Sequence, residues 1–349
     1  MPLETGMSQD YLRWVVENTP TAWWNDSIES DELARGIERG AIGATCNPYL
    51  AHAAISQHRQ AWSDEIEDVL AQKLDPEAQA EVLMRIAVVH AAETLYPEYE
   101  RSGGRMGYVC AQVNPARAGD RDAMLPMAKR FSRWAPNVTV KLPATAAGLD
   151  VLADCTAEGI PCTLTISYTV PQVIAVAESY RRGMQRARQN GVTPSPCFAV
   201  IMIGRLDDYL RDVAHDARLD VRESDIRQSG IAVTKRVYSI LKERNYEVEL
   251  IVAALRGTYH MTELAGAKII MSIAVPYQET LLSPDLPKEQ RIEAAVPDEV
   301  IDRLSQMPEF LRAYEPEGMH PNEFITYGAT QRTLTQFHES GWKLLENVR

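Results

Sequence analysis

The sequence predicts a (β/α)8 barrel, in which eight parallel strands alternate with helices, followed by additional C-terminal helices. Eight short apolar runs of strand length occur along the chain, and longer stretches with helical periodicity separate them. No glycine-rich phosphate-binding fingerprint follows the first run, which weighs against the alternative of an open doubly wound sheet. Strand–helix alternation with eight strands therefore favours the barrel.

The predicted strands are rich in β-branched, aromatic and small apolar residues. They are TAWWN (21–25), AIGAT (41–45), GYVCAQV (107–113), NVTVKLP (137–143), IPCTLTI (160–166), CFAVIMI (197–203), VELIVAA (248–254) and KIIMSIA (268–274). A helix is predicted after the first strand over SDELARGIERG (30–40), with Ser30 as its N-cap. Residues 50–100 are long enough for two or three helices, and residues 205–245 for two.

The whole chain, residues 1–349, is predicted to form a single barrel domain. Its barrel core would span about residues 20–280, and a C-terminal helical extension would span about residues 285–349. Within the extension, DEVIDRLSQM and ATQRTLTQFHESGWKLLENV have helical periodicity, and the stretch YEPEGMHPNEF between them is rich in turn residues.

Composition excludes several function classes. The net charge is −12 and no Lys/Arg-rich block occurs, so no nucleic-acid partner is expected. No run of 18 apolar residues is present, so no membrane span is expected. The five cysteines form no CxxC motif, and the first 14 residues lack the pattern of a signal peptide, which together favour a reducing cytoplasm. The sequence leaves open whether the chain forms a homo-oligomer.

A lysine interrupts the strand NVTVKLP. Val138, Val140 and Leu142 share one face, which in a barrel packs against helices, so Lys141 faces the lumen. Lys141 also lies near the C-terminal end of its strand, where active sites of this fold occur. Burial disfavours a charged amine, and a neutral amine attacks carbonyl groups, so the position indicates a Schiff-base lysine. The alternatives are a lysine that extends to solvent or one that pairs with a carboxylate.

Segments along the chain resemble one enzyme family, in the order of the barrel strands. They are GATCNP (43–48), VKLPATAAGL (140–149) with the following EGIPCTLTISYTVPQ, MIGRLDDYL (202–210), AALRGTYHMTELAGAKIIMSIAVP (253–276) and EFITYGATQRTLTQFHESG (323–341). Together they resemble transaldolases from residue 20 to residue 341. The lysine motif and the Asn-Pro motif are specific because they occur in order and at barrel spacing.

The resemblance implies a (β/α)8, or TIM, barrel that acts on sugar phosphates without a metal or an organic cofactor. In transaldolases a lysine forms an imine with a ketose phosphate, the C3–C4 bond breaks, and a dihydroxyacetone unit passes to an aldose phosphate. The resemblance makes Lys141 the imine former, Asn47 a ligand of the donor's hydroxyls, and Thr165 a holder of the proton-shuttling water. Arg205 and Arg256 would bind the phosphate.

The acid/base position has two candidates in this sequence. The first strand of a transaldolase carries an aspartate that acts as acid and base in carbon–carbon cleavage. An alignment without a gap places Asn25 there, whereas a shift of one residue places Asp26 there. An amide cannot accept a proton at neutral pH, so the chemistry favours Asp26 and would require a bulge in the strand.

Five further positions depart from the family pattern. Gln112 replaces a glutamate of transaldolases, and fructose-6-phosphate aldolases of the same superfamily also have glutamine there. Met202 stands where those aldolases have a tyrosine, and Thr163, a predicted substrate-binding residue, stands where transaldolases have asparagine. Val200 and Ala254 replace serines, the second of which contacts phosphate in the family. Donor specificity therefore stays open.

Three functions are consistent with the sequence. The first is a transaldolase-like transferase, and the second is an aldolase of the same chemistry that releases the ketone without transfer. The third is a catalytically idle barrel that binds sugar phosphates, which Asn25 and Gln112 would favour. Retention of Lys141 in an otherwise apolar strand argues against the third, because a buried amine without a use is costly.

Overall fold

The computed structural model describes residues 10–349, and its eight parallel strands close into a barrel in chain order. The predicted fold class is therefore confirmed. The strands are β1 (Ala22–Asn25), β2 (Gly43–Ala44), β3 (Tyr108–Gln112), β4 (Val138–Pro143), β5 (Cys162–Thr165), β6 (Cys197–Met202), β7 (Glu249–Ala253) and β8 (Ile270–Ile273). Most of the N-terminal stretch that was considered for a signal peptide lies outside the described residues.

Helices surround the barrel and extend beyond it. In the described part of the chain they are α1 (Tyr11–Asn18), α2 (Ser30–Glu38), α3 (Pro48–Gln57), α4 (Ser63–Ala71), α5 (Pro76–Arg101), α6 (Arg121–Phe131), α7 (Ala146–Ala157), α8 (Val170–Gln189), α9 (Ile203–Asp216), α10 (Glu223–Glu243), α11 (Thr258–Thr262), α12 (Val275–Leu281), α13 (Asp298–Leu304), α14 (Pro308–Tyr314), α15 (Gly328–Phe337) and α16 (Lys343–Glu346). The 3₁₀ segments are Pro115–Arg117 and Pro321–Thr326, and a π-helical turn covers His338–Trp342. The helix numbers predicted for residues 50–100 and 205–245 are confirmed.

The start of α2 corrects one sequence prediction. Ser30 is the first helical residue rather than the N-cap, and Glu29 occupies the cap position. The Glu29 carboxylate accepts the backbone N–H groups of Asp31 and Glu32, so it satisfies two donors that the first turn leaves unpaired. Its negative charge also interacts favourably with the helix dipole.

Aromatic rings fill the N-terminal half of the lumen. The ring of Phe198 meets that of Trp24 at a centroid distance of 4.8 Å and that of Tyr108 at 5.6 Å, both edge-on. Gly43 makes room for this packing, since a Cβ there would lie 2.6 Å from the Trp24 indole. Trp24 faces the lumen, so the alternation of strand side chains directs Asp26, the first residue after β1, towards the lumen as well.

The orientation predicted for β4 is confirmed. Thr139 Oγ1 lies 3.0 Å from Thr163 Oγ1 of the neighbouring strand, inside the lumen. Val138, Val140 and Leu142 alternate with Thr139 along the strand and belong to the apolar core. The lumen above the aromatic layer is therefore polar on the side of β4 and β5.

The C-terminal extension packs against the barrel's outer helices and reaches its C-terminal face. Helices α13 and α14 lie against α10, while α15 contacts α9, and the π-helical turn contacts α3. Gly341 in that turn allows a close backbone approach, since a Cβ there would lie 2.7 Å from the backbone nitrogen of Tyr49. Within residues 10–349, no helix combines the length and apolar character that crossing a membrane requires.

The aromatic layer makes the Gly43→Ala variant informative. The added methyl group would collide with the indole of Trp24, which is 1% exposed. We expect this overpacking to lower the free energy of unfolding by about 1–3 kcal/mol, measured by urea denaturation.

Gly119→Ala is the matched control for this variant. A methyl group at Gly119 would meet only Cδ1 of Ile325, at 3.2 Å, and that atom is the end of a flexible side chain. The control should change the free energy of unfolding by no more than about 0.5 kcal/mol. Equal losses in both variants would contradict the described packing.

Candidate active site

Lys141 lies inside the barrel, near the C-terminal end of β4. Its residue exposure is 6%, and its Nζ donates a hydrogen bond of 3.0 Å to the carbonyl oxygen of Cys46. Among the described residues, no carboxylate lies within 4.0 Å of this nitrogen. The amine is therefore neither extended into solvent nor neutralised by an acidic partner.

Two thiols lie near the Lys141 amine, and neither carries a negative charge that could pair with it. Burial raises the pKa of the Cys46 thiol, and the nearby Lys141 acts in the opposite direction. Burial raises the pKa of the Cys110 thiol as well. Both thiols are therefore protonated at neutral pH, and the surroundings of the amine remain uncharged on this side.

Polar side chains from the two adjacent strands flank Lys141. Gln112 of β3 and Thr163 of β5 are its register partners, so all three face the lumen. Gln112 is buried, and its Oε1 has no hydrogen-bond partner in the described part of the protein. Within residues 10–349, the hydroxyl of Thr165, two residues after Thr163, has only the sulfur of Met202 as a hydrogen-bond partner, at 3.8 Å. These groups leave hydrogen-bonding capacity directed into the site.

Asp26 shares the lumen with Lys141. Its Oδ1 accepts a hydrogen bond of 2.6 Å from Thr45 Oγ1, and that hydroxyl lies 2.6 Å from Ser272 Oγ. The charges of Asp26 and Lys141 both act on the thiol of Cys46, in opposite directions. A carboxylate that follows β1 and an amine on β4 thus both face the lumen.

Asn25 does not join this group. Its Oδ1 accepts a hydrogen bond of 2.7 Å from Gln278 Nε2 on α12, and its Nδ2 donates to the carbonyl oxygen of Ser27. Gly36 of α2 lies against the same side chain, where a Cβ would be 2.7 Å from Oδ1. The side chain therefore points towards the surrounding helices and is fully committed there.

The bulge expected in the first strand is absent. Residues Ala22–Asn25 pair with Ile270–Ile273 in an unbroken register. Simple alternation from Trp24 already brings Asp26 to the lumen. The expectation of a bulge was wrong because the sequence does not reveal that Trp24, rather than Trp23, faces inward.

Asn47 caps α3 beside the site. Its Oδ1 accepts the backbone N–H groups of Tyr49 and Leu50 at 2.9 and 3.1 Å. The Nδ2 group donates to no atom of residues 10–349. Since Cys46, the acceptor of the Lys141 amine, immediately precedes Asn47, the cap holds this amide next to the amine.

Arg205, in the first turn of α9, is partly buried at the C-terminal mouth of the barrel. Its Nη1 donates to Gln336 Oε1 at 2.6 Å, its guanidinium lies 5.2 Å from the ring centre of Phe337, and its buried Nε has no partner among the described residues. Burial lowers the pKa of Arg205, and the nearby charge of Arg256 acts in the same direction. An anion at this mouth would relieve both effects.

Arg256 follows β7 and lies close to the start of α9. Its Nε and Nη2 lie 2.9 and 2.8 Å from Asp208 Oδ2, and its Nη1 donates to the carbonyl oxygens of Ala254 and Leu255. A Cβ at Gly204 would lie 2.4 Å from both Ala254 O and Arg256 Cγ, so the two segments are in close contact. This approach brings the two arginines together.

The sequence-predicted site residues fall into three groups. The lumen holds Lys141, Asp26, Gln112, Thr163 and Thr165, the C-terminal mouth holds Asn47, Arg205 and Arg256, and Asn25 lies outside both. No group of three or more His, Cys, Asp or Glu side chains that could hold a metal ion occurs in residues 10–349.

Sequence reasoning missed several residues of the site. Thr45 and Asp208 lie inside motifs that carried the family resemblance, so those motifs contained a signal for them. Ser272 contacts Thr45, the partner of Asp26, across a separation of 227 residues in the chain. Gln336 contacts Arg205 across a separation of 131 residues. Both residues also lie inside motifs that carried the family resemblance, but no local pattern pairs segments that are so distant in the chain.

Comparison with known proteins gives a consistent assignment. The family model of transaldolase/fructose-6-phosphate aldolase matches residues 23–348. A transaldolase of Mycolicibacterium smegmatis is 29% identical over 235 residues, which is 63% of this chain and 62% of the relative. A transaldolase of Neisseria gonorrhoeae is 29% identical over 215 residues, 60% of this chain and 59% of the relative.

The chain thus aligns with less than two thirds of the length of these relatives. The family match, in contrast, spans nearly the whole barrel and the C-terminal extension. It includes every strand that contributes a side chain to the lumen, from β1 to β8. The chain belongs to the transaldolase/fructose-6-phosphate aldolase family.

Proposed function

We propose that this chain transfers a dihydroxyacetone unit from a ketose phosphate to an aldose phosphate through a Schiff base on Lys141. The observation that carries the proposal is the buried Lys141 amine, which has a carbonyl oxygen but, among the residues that the structure describes, no carboxylate within 4.0 Å. Such an amine is available as a nucleophile once its proton has left. Family membership supports the chemical class, while the activity and the substrates are part of the proposal.

In the first step, the Nζ lone pair of Lys141 attacks the C2 carbonyl carbon of the ketose. The carbinolamine then loses its hydroxyl as water and becomes a protonated imine. The hydroxyl of Thr165 and the unpartnered Oε1 of Gln112 would hold the water that carries protons to and from this centre. The positive imine nitrogen then serves as the electron sink.

In the second step, Asp26 takes the proton of the C4 hydroxyl. The C4–O bond becomes a carbonyl, the C3–C4 bond breaks, and its electron pair moves towards the imine nitrogen, which leaves an enamine on Lys141. The hydrogen bond from Thr45 orients the Asp26 carboxylate for this transfer. The reverse sequence with a second aldehyde completes the group transfer.

The mouth of the barrel would hold the rest of the substrate. Arg205 and Arg256 would bind the phosphate, which offsets the repulsion between the two guanidinium groups. The free amide nitrogen of Asn47 would donate to a hydroxyl of the donor sugar. Thr163, whose hydroxyl lies 3.0 Å from that of Thr139, would complete the polar wall below the imine.

The wider setting is also part of the proposal. We expect one barrel domain over the chain, without a nucleic-acid partner, because the net charge is −12. A cytoplasmic location is consistent with five free, buried cysteines.

An aldolase that releases its product is the second candidate, since the neutral Gln112 amide stands where transaldolases have a glutamate. Dependence of turnover on an added acceptor aldehyde distinguishes the two.

Lys141→Met tests the imine. We expect borohydride reduction after incubation with fructose 6-phosphate to add mass to the Lys141 peptide of the wild-type chain. The methionine variant should give no adduct and keep its fold, because methionine fills a similar volume without the charge. An adduct on another lysine would refute the assignment.

Asp26→Asn tests the acid/base group. Imine trapping should persist, while carbon–carbon cleavage should fall by about 10²–10⁴-fold because the proton acceptor is lost. Asn25→Asp is the matched control: a carboxylate at Asn25 would face helices α2 and α12 and should destabilise the fold without raising cleavage. A gain of cleavage in this control would instead place the base at Asn25.

Arg205→Ala and Arg256→Ala test the anion site. Each should weaken binding of fructose 6-phosphate by about 1.5–3 kcal/mol, the contribution of a charge-assisted hydrogen bond, in titration calorimetry. Binding of dihydroxyacetone should change far less. Arg211→Ala is the control, since Arg211 also pairs with Asp208 but lies farther along α9. Equal losses for both ligands would mean that the arginines hold the loops rather than the phosphate.

A further inference from the structure

A fully buried histidine–aspartate pair lies behind the two arginines of the mouth. His260 of α11 and Asp207 of α9 are both 0% exposed, and Nε2 of His260 lies 2.8 Å from Oδ2 of Asp207. Helix α9 begins with the turn that carries Arg205, and α11 follows the loop that carries Arg256. The pair therefore connects the two segments that present the arginines.

The contacts of His260 define its tautomer. The backbone N–H of Arg256 donates a hydrogen bond of 3.1 Å to Nδ1. A backbone N–H can only donate, so Nδ1 must be the acceptor, and the ring hydrogen lies on Nε2, where it is donated to Asp207. The other oxygen of Asp207 accepts from Ser229 Oγ at 2.8 Å and from the backbone nitrogen of Gly230 at 2.9 Å. Asp207 therefore acts as an acceptor at both oxygens.

Asp208, the residue after Asp207 on α9, holds the guanidinium end of Arg256. Asp208 accepts from the guanidinium of Arg256, whereas Asp207 reaches the backbone nitrogen of the same residue through His260. The loop that leads from β7 to Arg256 is sharply turned, since Ala254 at its start has a φ of 59°. A non-glycine residue in this left-handed region persists only where surrounding contacts determine the conformation.

We propose that the Asp207–His260 pair is a positioning device for the phosphate site. By imposing the tautomer that accepts the Arg256 N–H, it sets the place of Arg256 relative to Arg205. The proposal rests on the proposed function for its ligand, a phosphorylated ketose. Stability alone does not account for the pair, because burying a carboxylate against a neutral imidazole costs desolvation that apolar side chains of similar volume would avoid.

Two amide variants separate the two hydrogen bonds of His260. His260→Gln places an amide nitrogen near the position of Nε2, so it keeps a donor for Asp207 but loses the acceptor for Arg256. His260→Asn places an amide oxygen near the position of Nδ1, so it keeps the acceptor for Arg256 but leaves Asp207 unsatisfied. The first change affects positioning, and the second affects mainly stability.

Asp207→Asn provides an independent change. Oδ1 of Asp207 must remain an acceptor for Ser229 and Gly230, so the new amide NH₂ would face His260 Nε2. That NH₂ group can only donate, which forces the ring hydrogen onto Nδ1. Nδ1–H would then oppose the N–H of Arg256, and the loop should shift. This variant therefore inverts the tautomer without removing the ring.

The experiment measures binding of fructose 6-phosphate and dihydroxyacetone by calorimetry in the Lys141→Met background, where no imine forms. We expect His260→Gln and Asp207→Asn to raise the Kd for fructose 6-phosphate about five- to tenfold, the effect of one hydrogen bond. The Kd for dihydroxyacetone should stay unchanged. In chains that retain Lys141, KM should rise with little change in kcat. His260→Asn should keep nearly the original Kd with a lower Tm.

Asp225→Asn is the control for loss of a buried carboxylate. Asp225 is 2% exposed and pairs with Arg303 on α13, so its loss should lower Tm without changing either Kd. Nitrogen NMR of ¹⁵N-histidine-labelled protein should show Nδ1 of His260 unprotonated in the parent chain and protonated in Asp207→Asn. This measurement requires no substrate.

Several outcomes would overturn the proposal. One is an equal change in Kd for both ligands, another is a Kd change no larger than that of Asp225→Asn, and a third is a protonated Nδ1 in the parent chain. If the chain binds fructose 6-phosphate but forms no imine, the proposed function fails while the comparison of Kd values still decides the role of the pair. A chain that does not bind fructose 6-phosphate overturns both proposals.

Discussion

A closed barrel of parallel strands gives each residue only two directions, the lumen or the surrounding helices, and the site depends on this constraint. The Trp24 side chain packs against Phe198 and against Gly43, which has no Cβ, and this packing determines which side chains of β1 face the lumen. Asp26 follows into the lumen as a consequence, and Lys141 does so on β4 because its apolar neighbours belong to the core. The carboxylate and the amine share the lumen because two independent packing patterns turn them inward.

Electrostatics distinguish the immediate surroundings of Lys141 from the mouth of the barrel. The Lys141 amine contacts a backbone carbonyl and lies near two thiols whose pKa values are raised by burial, and none of the described carboxylates pairs with it. At the mouth, the guanidinium of Arg205 is partly desolvated beside that of Arg256. This arrangement is consistent with the proposed substrate, which has a carbonyl at one end and a phosphate at the other.

The C-terminal extension contributes to the mouth as well as to the outer surface. Gln336 and Phe337 contact the guanidinium of Arg205, and the π-helical turn that follows packs against the start of α3 through Gly341. The extension therefore holds Arg205 from above, while Asp208 and the buried His260 hold Arg256 from behind. Both arginines are placed before any ligand arrives.

The sequence by itself determined the barrel, its eight strands and the inward direction of Lys141, because strand and helix periodicities are local properties of the chain. It also contained the motifs that carry Asn47, Arg205 and Arg256. Only the tertiary structure decided which of Asn25 and Asp26 faces the lumen, since the direction of β1 depends on which neighbour accommodates each tryptophan. The roles of Gln336 and His260 likewise became visible only in the fold, because their contacts join segments that are distant in the chain and follow no local pattern.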